Sequence, residues 1–254
     1  MNFFSKTLTS IKEALSRNVF LISLMLGLVF LSYLIPVLMD GATLRDLVRE
    51  DGPVESLGAA LFLAGAIFIF YSLLRPPIGG SVHGNPWKFW MIGLGLLFFV
   101  ACGEEISWGQ RIFNFETPEA LLEVNKQKEF NLHNFEPFHG LDDQGERKTG
   151  LAAWLTIHRI FYSVMFGFFV FLPLVMVANN RLTGLIRATE IPIAPLDLSV
   201  LYVFVLAGVK VFQRAFAHEN DELYHNLVEI METNIALVTC LYGISLNRKG
   251  PFIA

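Results

Sequence analysis

The sequence predicts an all-α fold, a polytopic membrane bundle of about six transmembrane helices, on three observations. The 254 residues are 54% apolar and only 17% charged, a balance outside the range of ordinary soluble domains. Apolar stretches of roughly 20 residues, the length that spans a bilayer core, recur along the chain. The ionisable residues inside those stretches gather toward one membrane face. The six spans are expected at 19–39, 54–74, 88–109, 153–178, 197–217 and 223–246, within a single integral membrane domain covering 1–254.

Each element follows from its residues. Phe3, Phe4, Leu8, Ile11 and Leu15 alternate with Lys6, Lys12 and Arg17, so 1–17 reads as an amphipathic helix on the cytoplasmic membrane surface. The first span has too long an apolar run for a cleaved signal peptide, and Pro36 to Asp40 offers no small-residue cleavage site. Lys and Arg set the orientation. Lys6, Lys12 and Arg17, Arg75 and Lys88, Arg181 and Arg187, and Arg248 and Lys249 fall on one side. That side is expected to be cytoplasmic, with both termini. The 40–53 segment, the 110–152 loop and the 217–222 turn lie opposite. Within the 110–152 loop, Thr117-Pro118-Glu119 predicts a short amphipathic helix, capped by Thr117 and running to about Gln127.

The net charge of −4 argues against nucleic acid as a partner, which would call for a basic face. Cys102 and Cys240 sit in apolar helical stretches without CxxC spacing. They read as buried small residues, not as a disulfide or zinc ribbon.

The chemistry is expected at the outer face. His218, Glu222, His225, Glu229 and Glu232 are spaced four, three, four and three apart, so they share one helical stripe. Ionisable groups in a bilayer are costly and mark functional sites by default. Glu222-Leu-Tyr-His225 is an E-x-x-H, the half-site of di-iron bundles, but no second copy follows. A single divalent metal such as zinc, held by His218, Glu222 and His225 with an open position for water, competes with a metal-free Glu–His network. Glu104, Glu105 and Glu229 are the candidate catalytic acids and bases. Arg111, His133, Arg159, Lys210 and Arg214 are the candidate substrate-binding groups for phosphate or carboxylate. Lys210 and Arg214, one helical turn apart, are also natural partners for Glu229, Glu232 or Glu104. Polar residues alternate along 125–134, so an extended segment there would face the site.

GEEISWGQR at 103–111, TPEALLEVN at 117–125, NLHN at 131–134 and EDGPVE at 50–55 together resemble an uncharacterised family of multi-pass bacterial membrane proteins. The resemblance covers about the middle half of the chain. It implies a bacterial membrane protein and supplies no activity; the expected location is the bacterial inner membrane. The paired-histidine H-x-x-x-H of alkaline ceramidase-like hydrolases is absent.

Two readings of function follow. The first is a metal-assisted or acid–base hydrolase or transferase acting on a lipid or lipid-linked substrate from the outer side, surrounded by membrane lipids. The second is a non-catalytic transporter, proton relay or subunit of a membrane complex whose buried charges are structural or bind a partner.

Overall fold

The computed structural model describes all residues except 1–2, 18, 50–51, 76–83, 127, 133, 136–137, 139–147 and 250–254. Six of the described helical segments are long and apolar enough to cross a membrane, and no strand occurs among the described residues. The protein is an all-α helical bundle and an integral membrane protein by the length and composition of its helices.

Helix α1 (Phe3–Arg17) leads into α2 (Val19–Leu38), and it rests against α10 and α12, introduced below. Asp40 caps the short α3 (Gly41–Val48), accepting hydrogen bonds from the Thr43 amide at 2.9 Å and the Thr43 hydroxyl at 2.7 Å. The Thr43 amide bond, with the hydroxyl bond behind it, holds the Asp40 carboxyl below the usual carboxylate range. Pro53 starts α4 (Pro53–Leu74) and Glu55 stands in its first turn, where both suit an N-terminus. Helix α5 (Asn85–Glu105) stops four residues before the expected end at 109. Ser107, Trp108 and Gly109 take φ values of 45°, 53° and 75°, a left-handed run that no α-helix continues through.

The outer segment holds two single turns, α6 (Gln110–Phe113) and α7 (Glu119–Leu122). The helix expected from Thr117 to Gln127 is therefore one turn only, and Pro118 stands at its cap. The Thr117 hydroxyl is engaged elsewhere, accepting from Gln110 at 2.7 Å and donating to the Lys128 carbonyl at 2.8 Å. After α8 (Gly150–Trp154), the fourth span is α9 (Ile157–Phe166), a π turn over Gly167–Phe171, and α10 (Leu172–Ala178). Pro173 has no amide to donate, and the wide turn absorbs that loss. The amphipathic α11 (Asn180–Ala188), capped by Asn179, lies between the fourth and fifth spans. Helices α12 (Leu196–Phe216) and α13 (Asp221–Lys249) complete the chain.

Helix α13 is the centre of the bundle. It packs on α4, α12, α2 and α3 and buries Leu227, Ile235, Ala236, Val238 and Tyr242 completely. The α4–α13 seam is close because small residues line it. A Cβ on Gly243 would stand 2.8 Å from the Gly65 carbonyl, and one on Gly65 would stand 3.2 Å from the Thr239 carbonyl. Small residues are what let membrane helices approach this closely. Polar side chains tie α13 to α4 and α2: Thr233 donates to the Val54 carbonyl at 3.1 Å, Asn234 to Ser32 at 2.9 Å, and Asn247 to the Phe68 carbonyl at 2.9 Å.

The alternation of spans is visible at both ends. At one end Glu190, from the segment after α11, accepts from the amides of Gly84 and Trp87 at 3.0 and 3.2 Å. At the other, Arg45 of α3 meets Glu222 of α13 at 3.0 Å. Large apolar side chains such as Phe20, Leu28, Leu96, Phe99, Val203 and Val211 are exposed around the bundle, as a lipid-facing belt requires.

Candidate functional site

A cavity of about 650 Å³ opens between α4, α5, α9 and α13, within the roughly 300–1,000 Å³ typical of small-molecule sites. Helical spacing delivers its polar groups. His225, Glu229 and Glu232 stand at intervals of four and three along one face of α13. Glu104 and Glu105 come from the last turn of α5 and Glu55 from the first turn of α4. His158 and Tyr162, one turn apart on α9, close the far wall. Glu129 and Asn134 reach in from the outer segment, and Phe62, Leu97, Phe161 and Val228 supply apolar surface. The lining thus holds six carboxylates, and no Lys or Arg among the described residues.

Most of these carboxylates are engaged. The Tyr162 hydroxyl donates to Glu232. Glu104 accepts from the Trp108 indole at 2.8 Å and the Leu132 amide at 2.7 Å. Glu129 accepts from Arg111, from the Ser107 hydroxyl and from Asn131. Glu105 differs. Among the described residues it has no hydrogen bond and no ion pair, and its electrostatic neighbours are Glu232, Glu229, Glu55 and Glu104. A carboxylate in an apolar, membrane-embedded setting calls for a positive partner. Here its charged neighbours all carry the same sign.

The motif residues of the outer segment form a polar cap over this cavity. Trp108 lies flat enough against the end of α5 that a Cβ on Gly103 would be 2.9 Å from its ring. A bulky residue at positive φ is held only when its surroundings over-determine it, and the Gly103 gap and the Glu104 bond do so. Asn131, 4% exposed, donates to Ser107 and Glu129 at 3.1 Å each and accepts from Asn125 at 2.9 Å. Gln110 ties in Thr117 and the Phe130 amide. The 125–134 stretch is a set of turns with one bridge, Asn125 to Phe135, rather than the extended segment expected. Asn125, Glu129 and Asn131 still turn inward, and Lys126 and Lys128 outward.

The remaining candidates separate. His133 lies outside the described residues. Arg111 pairs with Glu129 in the cap, and exposed Arg159 sits 5.5 Å over the Trp154 ring. Neither lines the cavity. Lys210 and Arg214 do not pair with Glu229, Glu232 or Glu104. Lys210 donates to Gln213 at 3.2 Å and lies over the Tyr224 ring, and with Arg214 it lines a second pocket of about 760 Å³ beside the first. Facing explains this, since Lys210 and Arg214 line the groove between α12 and α13 while Glu229 and Glu232 line the cavity with α4, α5 and α9. The proposed metal ligands also diverge. Glu222 is held by Arg45, and His218 lies 3.6 Å from Glu219 in the second pocket, whereas His225 borders both pockets. Among the described residues no group of three or more His, Cys, Asp or Glu side chains is gathered for a metal ion. These residues do not fit a preformed single-metal centre.

Sequence reasoning missed Tyr162 and the cap function of Asn131 and Gln110. Tyr162 had a signal, its i+4 spacing from His158 on the face that enters the site. For the cap, the polar alternation along 125–134 indicated which residues turn inward but not their partners, which meet only after the left-handed turn at 107–109.

No protein-family model matches the chain, and neither a curated protein nor a solved structure matches it.

Proposed function

We propose that this membrane protein takes a positively charged group of a lipid or lipid-linked molecule into the carboxylate cavity and acts on it as a hydrolase or transferase by acid–base chemistry. One observation carries the reading: among the described residues Glu105 has no hydrogen-bond or ion-pair partner, and it faces four other carboxylates in a cavity whose described lining contains no Lys or Arg. A cation is the ligand that such a lining lacks, and the Phe62 and Phe161 walls suit an apolar chain attached to it. Glu105 and Glu229 are the groups we assign to proton transfer. The Tyr162–Glu232 pair orients the inner wall. The Lys and Arg distribution of the connecting segments supports a cavity open to the outside with both termini cytoplasmic, and the motif resemblance supports a bacterial membrane.

A second reading, a non-catalytic cation relay, draws on His225, Glu229 and Glu232 facing the cavity at successive turns of α13. Incubating the purified protein in lipid nanodiscs with total membrane lipid and following products by mass spectrometry separates the two. Products that vanish in both Glu105→Gln and Glu229→Gln support the enzyme. No product with wild type, alongside retained binding of an alkylammonium probe, replaces it with the relay.

A further inference from the structure

The second pocket carries chemistry that the cavity does not. We propose that the groove between the end of α12 and the start of α13 is an anion subsite for a phosphate group, beside the carboxylate cavity and sharing His225 with it. Its walls include Lys210, Arg214, His218 and His225, with Asp221 as the one carboxylate among its described lining residues. Among the described residues neither Lys210 nor Arg214 has a carboxylate partner. Lys210 is instead pre-set by Gln213, which is 3% exposed and itself anchored by donating to the Tyr224 carbonyl at 3.2 Å. The Tyr224 ring lies beneath the same ammonium, 5.9 Å from its centroid. Two cations one turn apart, one of them held by a buried amide and a ring, are built to converge on an anion.

Depth points to a phosphate. Lys210 is six residues from the end of α12 at Phe216, about 9 Å at 1.5 Å per residue. Arg214 is closer still. Arg214 is thus at the boundary where lipid phosphates lie, and Lys210 is less than two turns inside it with a long side chain that reaches toward the same level. Because His225 borders both pockets, a molecule with an ammonium in the cavity and a phosphate in the groove would bind on the two sides of that residue. A zwitterionic headgroup is the ligand class this juxtaposition selects. That pairing rests on the cationic reading of the cavity; the anion subsite itself does not.

Four probes test it on the full chain in nanodiscs, below their micellar concentrations: inorganic phosphate, dodecyl phosphate, dodecyltrimethylammonium and dodecylphosphocholine. Binding is read by isothermal titration. Lys210→Gln and Arg214→Gln are each expected to weaken dodecyl phosphate and dodecylphosphocholine by about tenfold or more and to leave dodecyltrimethylammonium within about twofold. Dodecyl phosphate displaced by inorganic phosphate assigns the subsite to a free phosphate group. Binding that inorganic phosphate leaves undisturbed assigns it to a lipid headgroup. Dodecyl phosphate binding unchanged in both variants means that the two cations only snorkel to the interface, and overturns the proposal. Should either variant fold poorly, non-saturable wild-type binding of dodecyl phosphate overturns it equally. Dodecyltrimethylammonium binding unchanged by Glu105→Gln refutes the cavity reading and leaves the anion subsite standing.

Discussion

Replacing Gly243 by Ala tests how the cavity is held together. Helix α4 carries Glu55 and α13 carries Glu229 and Glu232, so the spacing of these two helices sets the spacing of the carboxylates. The new Cβ would sit 2.8 Å from the Gly65 carbonyl oxygen and 2.9 Å from the Phe68 Cβ. Ordinary contacts between such atoms begin near 3.5 Å, so the helices must part by about 0.7 Å. Neither obstacle can swing aside, because one is helix backbone and the other a Cβ. Overpacking of this kind costs about 1–3 kcal/mol, or a fall of roughly 3–10 °C in the thermal midpoint. Gly27→Ala is the control, since nothing lies within 4 Å of its added Cβ and the change to Ala favours helix by up to about 1 kcal/mol. Thermal unfolding in detergent, followed by circular dichroism, compares the two. Gly243→Ala as stable as Gly27→Ala would refute the close α4–α13 seam.

Other consequences are equally direct. Asn131→Ala removes three hydrogen bonds from the cap, so a loss of about 2–4 kcal/mol and faster proteolysis within 110–135 are expected; an unchanged digestion pattern contradicts the cap. At Asp40 the carboxyl is held below its usual range by the Thr43 amide. Its contribution is present above the ordinary aspartate pKa of about 3.9 and is lost as pH falls through the lower folded value. Helix α3 is then expected to fray in acid in wild type. Asp40→Asn, which keeps a capping oxygen without a charge to titrate, is expected to remove that pH dependence, as amide hydrogen exchange over 41–48 would show.

Much of the fold was legible because bilayer length and apolarity act on each segment by itself. Val19–Leu38 and Leu196–Phe216 fall within about a residue of their expected spans. The α5 terminus was not legible, because Ser107 and Trp108 adopt a conformation that tertiary contacts impose against their own preference. Helices α3 and α11 were hidden by their shortness and polarity. At the site, the stripe on α13 was readable from spacing alone, and Glu229 and Glu232 do enter one cavity with Glu104 and Glu105. Partner choice was not readable. Charge complementarity suggested Lys210 for Glu232, but the groove that receives Lys210 is set by the packing of α12 on α13, and a neutral Tyr162 meets Glu232 instead. The upper stripe likewise divides, because Arg45 from α3 reaches Glu222 across a separation that no local pattern encodes.

The central claim is that the carboxylate cavity receives a cation. The direct measurement is an experimental structure of the protein soaked with a bromine-tagged alkyltrimethylammonium, with the bromine located by anomalous scattering. The ammonium is predicted beside Glu105, between α5 and α13, with its chain along Phe62 and Phe161, and its density is predicted to be absent from the Glu105→Gln protein. Bromine found only on the lipid-facing surface, or unchanged in Glu105→Gln, would contradict the claim.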